Sequence, residues 1–329
     1  MLCILNTSTH PQFNLAAEEY LLKERNEDIF MLWRNEPSII VGKHQNTLSE
    51  IHVDYVKEND IKVVRRLTGG GAVFHDLGNL NFTFIHTLEN VENQPSLDFR
   101  KYTLPILEVL NGLGVDARFE GRNDLTIEGK KFSGNAECVH RNRILHHGTL
   151  LFSAQLPDLG AALNADPSKF SDKAVKSVRS RVTNISEHLK YPMDVVSFKH
   201  LIYNHITRMY PDSVSYTFTE GDQERIQQLV REKYDTWEWN FGKSPEYNFR
   251  KVVKTTGGHV EFDLWVDKGI IREARIYGDF FSRGDIQDVE SALKGCPHTP
   301  AAVEEKLKSI DIDLYFNNIK PEELLPALY

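Results

Sequence analysis

Two periodicities run through the chain. Apolar residues three and four apart mark "NLAAEEYLLKER" (14–25) as a helix, with Leu15, Tyr20, Leu21 and Leu22 on or near one face. The same spacing marks "SLDFRKYTLPILEVLNGLG" (96–114), closed by glycine, then "MDVVSFKHLIYNHITRMY" (193–210) and "EGDQERIQQLVREKY" (220–234). Alternation, or a short apolar run between turn residues, marks strands. These are "MLCILNTS", then "IFMLWRN" and "SIIVGKH" split by "NEPS", then "IKVVRRLT" and "NLNFTFIH". "HVDYVKEND" (52–60) reads as a short helix. From 116 to 154 the β signal is dense: "DARFE", "DLTIEGKKFSGNAECV" and "RILHHGTLLFSA", with a hairpin turn at Arg141-Asn142. Strands thus come as adjacent runs, not in strict alternation with helices. This predicts an α+β fold with an antiparallel or mixed sheet, not a doubly wound parallel one.

The texture changes near residue 240, where "WEWNFGKSPEYNF" (237–249) is aromatic and turn-rich. Beyond it, "FRKVVKTTGGHVEFDLWVDKGIIREARIYGDFF" reads as three strands joined by "GG" and "DKG" turns. "DIQDVESALKG", "PAAVEEKLKSI" and "PEELLPALY" read as helices. A meander with its own helices can form a separate domain. The expected division is a large domain over 1–243 and a small one over 244–329.

Bulk composition narrows the classes. A chain of 329 residues suits about two domains. The 39 basic and 47 acidic residues leave a net charge of −8, which argues against bulk nucleic-acid binding. No apolar run approaches the ~18 residues needed to cross a membrane. The start, "MLCILNTSTHPQF", lacks a basic lead and a long apolar stretch, so no signal peptide is expected. The three cysteines, Cys3, Cys138 and Cys296, are scattered. They suit a reducing cytoplasm and form neither a disulfide frame nor a zinc-ligand spacing.

Candidate chemistry sits in four stretches. In "VVRRLTGGGAVFHDLGNLNFTF" (63–84), Gly69, Gly70 and Gly71 let a ligand approach the main chain, and Arg65 and Arg66 offer charge to a phosphate or carboxylate. Strand alternation sends only one arginine into a site. A plain β-turn with solvated arginines fits the same pattern. The stretch is neither a P-loop nor a dinucleotide fingerprint, whose last glycine would stand at Phe74. In "GRNDLTIEGKKFSGNAE" (121–137), Asp124 could hold Mg²⁺ together with phosphate oxygens. Lys130 and Lys131 face opposite ways on a strand, so one can stand between a carboxylate and a phosphate. A surface hairpin with solvated lysines is the alternative. In "HHGTLLF" (146–152), His146 and His147 alternate in direction and make no metal motif, while Gly148 permits close approach. "KSVRSRVTNI" (176–185) reads as a basic loop able to close over an anion. No GxSxG elbow occurs, and Cys138, on a strand, reads as a small hydrophobe.

Taken together, "NLAAEEYLL", "RRLTGGGAVFHDLGNLNFTF", "GRNDLTIEGKKFSGNA", "HHGTLLF" and "KSVRSRVTNI" resemble, in order, the lipoate–protein ligase A family. The junction at 237–249 and "IYGDFF" resemble its bacterial two-domain form, so the likeness spans nearly the whole chain. It implies the fold of biotin ligases, related to class II synthetase cores: a mixed, largely antiparallel sheet flanked by helices. It also implies an adenylate-forming ligase in the cytoplasm. ATP with Mg²⁺ activates lipoate, or octanoate, to the acyl-adenylate. The acyl group then passes to a lysine of lipoyl domains in E2 subunits of 2-oxoacid dehydrogenases or of the glycine-cleavage H protein. A monomer with no nucleic-acid or membrane partner and no tightly bound prosthetic group is expected.

By position, the resemblance makes Lys131 the catalytic residue, bridging the lipoate carboxylate and the α-phosphate, with Ser133 and Gly134 following it. Arg66 would contact phosphate. Gly69, Gly70 and Gly71, with Ala72 and Phe74, would floor the adenylate, bordered by His75 and Asn79. Asn123 and Asp124 would serve adenine or Mg²⁺-linked phosphate. His147 and Gly148 would line the site near the acyl chain, and Ser180 and Arg181 would belong to a closing loop. Leu15, Trp33 and Val41 would line the lipoyl slot, or be ordinary core. Arg65 is expected to be left outside. Asn135, in place of a more usual small residue, would touch ligand contacts. The rivals are an ATP-independent octanoyl or lipoyl transferase, a biotin ligase and a non-catalytic ligand-binding homologue. The transferases place a cysteine downstream of the HG strand, where this chain has only Cys296.

Overall fold

The computed structural model describes residues 1–45, 47–51, 53–88, 98–155, 182–241, 249–267 and 269–328. By contacts the chain divides into two compact units. The first comprises Met1–Ile40, Leu48–Val64 and Val73–Asn240. The second comprises Val41–Thr47, Arg65–Ala72 and Phe241–Tyr329.

Over residues 1–240 the chain runs β1 (Leu2–Leu5), α1 (Pro11–Glu24), β2 (Ile29–Trp33), β3 (Ser38–Val41), α2 (Thr47–Glu50) and α3 (Val53–Glu58). It continues with β4 (Lys62–Arg65), β5 (Val73–His75), β6 (Asn79–Thr87), α4 (Phe99–Gly112), β7 (Ala117–Glu120), β8 (Asp124–Ile127), β9 (Lys130–His140) and β10 (Arg143–Leu151). It closes with α5 (Val195–Met209), β11 (Val214–Tyr216), α6 (Glu220–Leu229) and α7 (Trp237–Asn240). Eight strands form one sheet in the order β11-β1-β2-β6-β10-β9-β8-β7. The β11-β1-β2 edge is parallel and the rest antiparallel, so the sheet is mixed, and the fold is α+β. A small sheet, β4-β3-β5, accompanies it.

The two faces of the large sheet differ because register and alternation sort the residues. Leu32, Phe82, Gly148 and Asn135 share one row, as do Phe30, Phe84, His146 and Glu137. On this face α4 and α5 bury Tyr102, Ile106, Phe198, Ile202 and Ile206 against Phe82, Phe84 and Leu125. The helices start where side chains cap them: Asp98 accepts from the Arg100 amide and Asp194 from the Ser197 amide. The other face is polar: Trp33, Asn81 and Thr149 in one row, and Thr83, His147 and Ala136 in the next.

Helix α1 departs from the expectation of one apolar face. Every residue from Pro11 to Leu22 is buried, polar ones included. The polar side chains find partners inside. Asn14 bonds Asn35, Tyr20 donates to Asp222, and Tyr234 and Lys233 donate to Glu19, each of the last two at 2.7 Å. The partners Asp222, Lys233 and Tyr234 come from α6 and the π-helical turn Val230–Tyr234 that follows it.

The second unit holds the three-stranded meander β12 (Phe249–Thr255), β13 (Gly258–Asp267) and β14 (Ile270–Gly278), as its "GG" and "DKG" turns predict. Helices α8 (Ile286–Leu293), α9 (Pro300–Lys308), α10 (Ile312–Tyr315) and α11 (Pro321–Leu324) follow. Phe262, Leu264, Ile276, Val289, Leu307 and Phe316 are among the residues of its own core. No helix among the described residues is long and apolar enough to cross a membrane.

Candidate active site

The polar sheet face of the first unit gathers several of the expected residues. Asp124 pairs in register with Gly134, and a bulge between Leu125 and Thr126 brings Thr126 opposite Lys131. The Lys131 ammonium reaches Asp124 Oδ1 at 2.8 Å, with the two side chains 41% and 37% exposed. It lies 3.0 Å from where a Cβ on Gly134 would stand, so it folds over that glycine. Lys130, its neighbour, is exposed. Thr149 Oγ1 accepts from the Gly134 amide at 3.2 Å. Gly134 and Ala136 thus leave a low floor between Lys131 and the His147 end of the face.

That end is a chain of buried polar groups. His147 Nδ1 sits 3.0 Å from both oxygens of Glu18. Glu18 Oε1 accepts from Thr83 Oγ1 at 2.6 Å, and Thr83 Oγ1 accepts from Trp33 Nε1 at 2.8 Å. The Trp33 ring meets His75 edge-on at 6.1 Å, and the Asn35 amide lies 3.1 Å from His75 Nδ1. Asn79 is buried and donates to Asn81 Oδ1 at 2.9 Å; Phe74 is buried. Leu15 is buried on α1. Glu18 escaped the sequence reading because a glutamate in a helix looks solvated. Its one signal was its place within "NLAAEEYLL".

Asn123 and Asn135 tie the start of β8 to β9. Asn123 Nδ2 donates to the Asn135 carbonyl at 2.5 Å, and Asn135 Nδ2 donates to the Asn123 carbonyl at 3.0 Å and to Ser133 Oγ at 3.2 Å. Asn135 therefore points to the core face, not toward a ligand on the polar one. The expectation failed because register, not proximity to the motif, sets the side. A Cβ on Gly148 would collide with Asn135 Oδ1 and the Phe82 ring, which explains the glycine in "HHG" by close packing. Ser180 and Arg181 lie outside the described residues. Val182 bridges Lys131 on β9, and the Thr183 amide donates to the Lys131 carbonyl at 3.0 Å.

The glycine-rich loop lies in the second unit and has a different economy. Arg66 follows the end of β4, so alternation no longer governs it. Its Nη2 donates to the carbonyls of Gly69 and Gly71 at 2.7 and 2.8 Å, and its Nε to Thr68 Oγ1 at 2.9 Å. Arg65 is not left outside. It is buried, donating to the carbonyls of Gly42, Lys43 and Gln45 and to Thr47 Oγ1. The strand ends at Arg65, so both arginines turn inward onto main chain. Burial pulls the Arg65 guanidinium down to about 10, still charged at neutral pH. A Cβ on Gly69 would collide with the Phe280 carbonyl oxygen, and Gly70 has φ 88° with the Phe281 ring beside it. Gly71 has open space around it. Val41 is buried, and its carbonyl accepts from the Arg66 amide at 3.0 Å; Ala72 is half-buried.

Among the described residues no group of three His, Cys, Asp or Glu side chains could hold a metal ion. Asp124 offers a single carboxylate, which fits an ion held mainly by phosphate oxygens and water. The Cys3 and Cys296 thiols are buried and burial raises both pKa values, the reverse of an activated nucleophile.

The polar face of this α+β chain thus carries a lysine–carboxylate pair over a glycine-and-alanine floor. Residues 10–207 match the lipoyl protein ligase A/B catalytic domain, and residues 244–328 match the bacterial lipoate protein ligase C-terminus. The chain belongs to the lipoate–protein ligase family. It is 43% identical to Lipoate–protein ligase 1 of Staphylococcus aureus over 322 residues, 97% of each chain. Its fold is similar to that of P. falciparum LipL1 in complex with lipoate, with TM-score 0.79, 27% identity, and 99% of this chain and 97% of that one covered. It is also similar to lipoate–protein ligase A bound with ATP, with TM-score 0.64, 28% identity, and coverage of 73% and 98%.

Proposed function

We propose that this chain joins lipoate to a lysine of lipoyl carrier domains in two steps, with Lys131 as the group common to both. The observation that carries this reading is the Lys131–Asp124 pair on the open polar face, in a chain of this family. In the first step a carboxylate oxygen of lipoate attacks the α-phosphorus of ATP, and pyrophosphate leaves. The Lys131 ammonium, between the two anions, offsets the charge that builds on the phosphoryl oxygens. In the second step the carrier's amine attacks the carbonyl carbon of the anhydride, AMP leaves with the bonding pair, and the amine gives up a proton. Lys131 polarises that carbonyl.

ATP enters with Mg²⁺ as substrate, and Asp124 is the carboxylate that would meet the ion, exchanging its bond to Lys131. The acyl chain would run along Gly134 and Ala136 toward His147, with Glu18 holding the imidazole and Leu15 and Trp33 beside it. Arg66 shapes the glycine loop, and Gly71 is where that loop has room for a phosphate or ribose. Residues 1–243 would carry activation and transfer, with 244–329 accessory. Lipoyl domains of E2 subunits and the H protein are the proposed carriers, the enzyme acting as a cytoplasmic monomer. Lipoate-dependent exchange of labelled pyrophosphate into ATP, followed by mass gain on a lipoyl domain, tests the reading. Carrier acylation from an acyl-carrier protein without ATP would replace it by the transferase.

A further inference from the structure

On the core face, opposite Lys131, a row of polar side chains runs from β9 and β10 to the start of β8. Glu137 Oε1 lies 2.8 Å from His146 Nδ1, and both side chains are fully buried. His146 Nε2 lies 3.3 Å from Asn135 Oδ1. Asn135 Nδ2 donates to the Asn123 carbonyl at 3.0 Å, and Asn123 precedes Asp124. Gly148 makes room for the row, since a Cβ there would displace Asn135 Oδ1.

The direction of these bonds follows from their far end. The Asn123 carbonyl can only accept, so the Asn135 nitrogen faces it and the Asn135 oxygen faces His146. His146 Nε2 then carries hydrogen. In a neutral ring Nδ1 is an acceptor, so the Glu137 carboxyl must be protonated and donate. The charged alternative would put an imidazolium and a carboxylate among the rings of Phe82, Phe99 and Tyr102, at 5.7, 5.9 and 4.9 Å from the imidazole. That arrangement carries a heavy desolvation penalty. Burial pushes the Glu137 carboxyl up to about 8, with the Asp98 charge adding and the Asp98 amide and Lys101 opposing. Burial likewise holds His146 well below the ordinary imidazole value, with His147 and His86 adding. The ionisable groups facing the pair are thus Asp98, Lys101 and Tyr102 from α4 and the segment before it, His86 from β6 and His147 from β10 itself.

We propose that Glu137, His146 and Asn135 form a neutral, one-directional hydrogen-bond relay that positions Asn123 and, through it, the Asp124–Lys131 pair. Glu137 and His146 are positioning residues; neither touches the reacting atoms. The relay rests on the reading of Lys131 as the reacting group. Its structural half stands without that reading.

The test uses the full chain, wild type against Glu137→Gln and Glu137→Leu, from pH 6 to 9.5. Glutamine donates to His146 Nδ1 and does not titrate. Lipoate-dependent pyrophosphate exchange should be close to wild type in Glu137→Gln at pH 6.5. The ratio of variant to wild type should then rise several-fold by pH 9.5, in kcat and not in KM for lipoate. Glu137→Leu should lose about tenfold or more at every pH, as loss of positioning does. A ratio that stays flat with pH overturns the positioning role. Thermal unfolding is read alongside. A carboxyl whose folded pKa is raised to about 8 from 4.5 contributes stability that is complete below 4.5 and lost as pH rises through 8. The Tm of wild type should therefore fall relative to Glu137→Gln across that window; parallel curves overturn the protonated carboxyl. An ¹⁵N-histidine spectrum of the wild type, assigned against His146→Gln, should show a neutral Nε2–H ring at pH 6, and an imidazolium there would also overturn it. Lys131→Ala separately tests the reading of Lys131 as the reacting group, since it removes that charge and leaves Glu137, His146 and Asn135 in place.

Discussion

The two motifs that dominate the sequence, "RRLTGGGA" and "GKKFSGNA", treat their polar groups in opposite ways. In the first, both arginines are buried and committed to main-chain carbonyls, and the approach offered by Gly69 and Gly70 is filled by Phe280 and Phe281. In the second, the core-facing groups Ser133 and Asn135 are committed to their neighbours, while Lys131 stands on the exposed side with one carboxylate partner and bare floor beside it. Glycine and arginine in sequence therefore do not define an open anion cradle. In the glycine motif Arg66 bonds the loop's own carbonyls and Arg65 the main chain of residues 42–45. The lysine hairpin ties its core-facing side through neutral groups and leaves the Lys131 charge on the exposed face.

Arg65→Met should do the greatest damage, because it removes the one buried cation that donates to the Gly42, Lys43 and Gln45 carbonyls. A loss of about 3 kcal/mol in the second unit's unfolding transition is expected, measured by denaturant titration. Little change would mean that water replaces the arginine and that the loop is not held as described. Gly69→Ala should cost about 2 kcal/mol, since main chain must move to admit the methyl group. Gly71→Ala, with nothing within 4 Å of the new carbon, should stay within about 0.5 kcal/mol. Equal effects at the two glycines would erase the distinction between a packed and an open part of the loop. Cys138→Ser should leave the ligation rate nearly unchanged, as no thioester is needed. A large loss with acyl-cysteine trapped on the parent would move the chemistry from Lys131 to a thiol.

Much of this was legible. Strand runs at 29–44, 79–86 and 116–154 and the meander beyond 249 are short-range patterns, and the sheets follow them. The opposed directions of His146 and His147 followed from alternation alone, whereas the face that Lys131 takes depends on the bulge between β8 and β9. Less legible was whatever depended on where a strand stops or what covers a helix. Arg65 and Arg66 fall at the end of β4, where alternation gives out. Helix α1 looked one-sided because Asn14, Glu18 and Glu19 are polar, yet each has a buried partner, and those of the two glutamates come from far along the chain. The partners on β10 and in 219–234 cannot be paired with α1 by any local rule.

The central claim is that the charge at Lys131, and not basic character in the hairpin generally, drives adenylation. Single-turnover formation of lipoyl-AMP from lipoate and ATP should fall at least about 10³-fold in Lys131→Ala, as for loss of a principal charge-stabilising group. Lys130→Ala, altering the exposed neighbour, should stay within about threefold, and both variants should keep the wild-type thermal transition. Near-normal adenylate formation by a folded Lys131→Ala, or an equal loss in Lys130→Ala, would contradict the account.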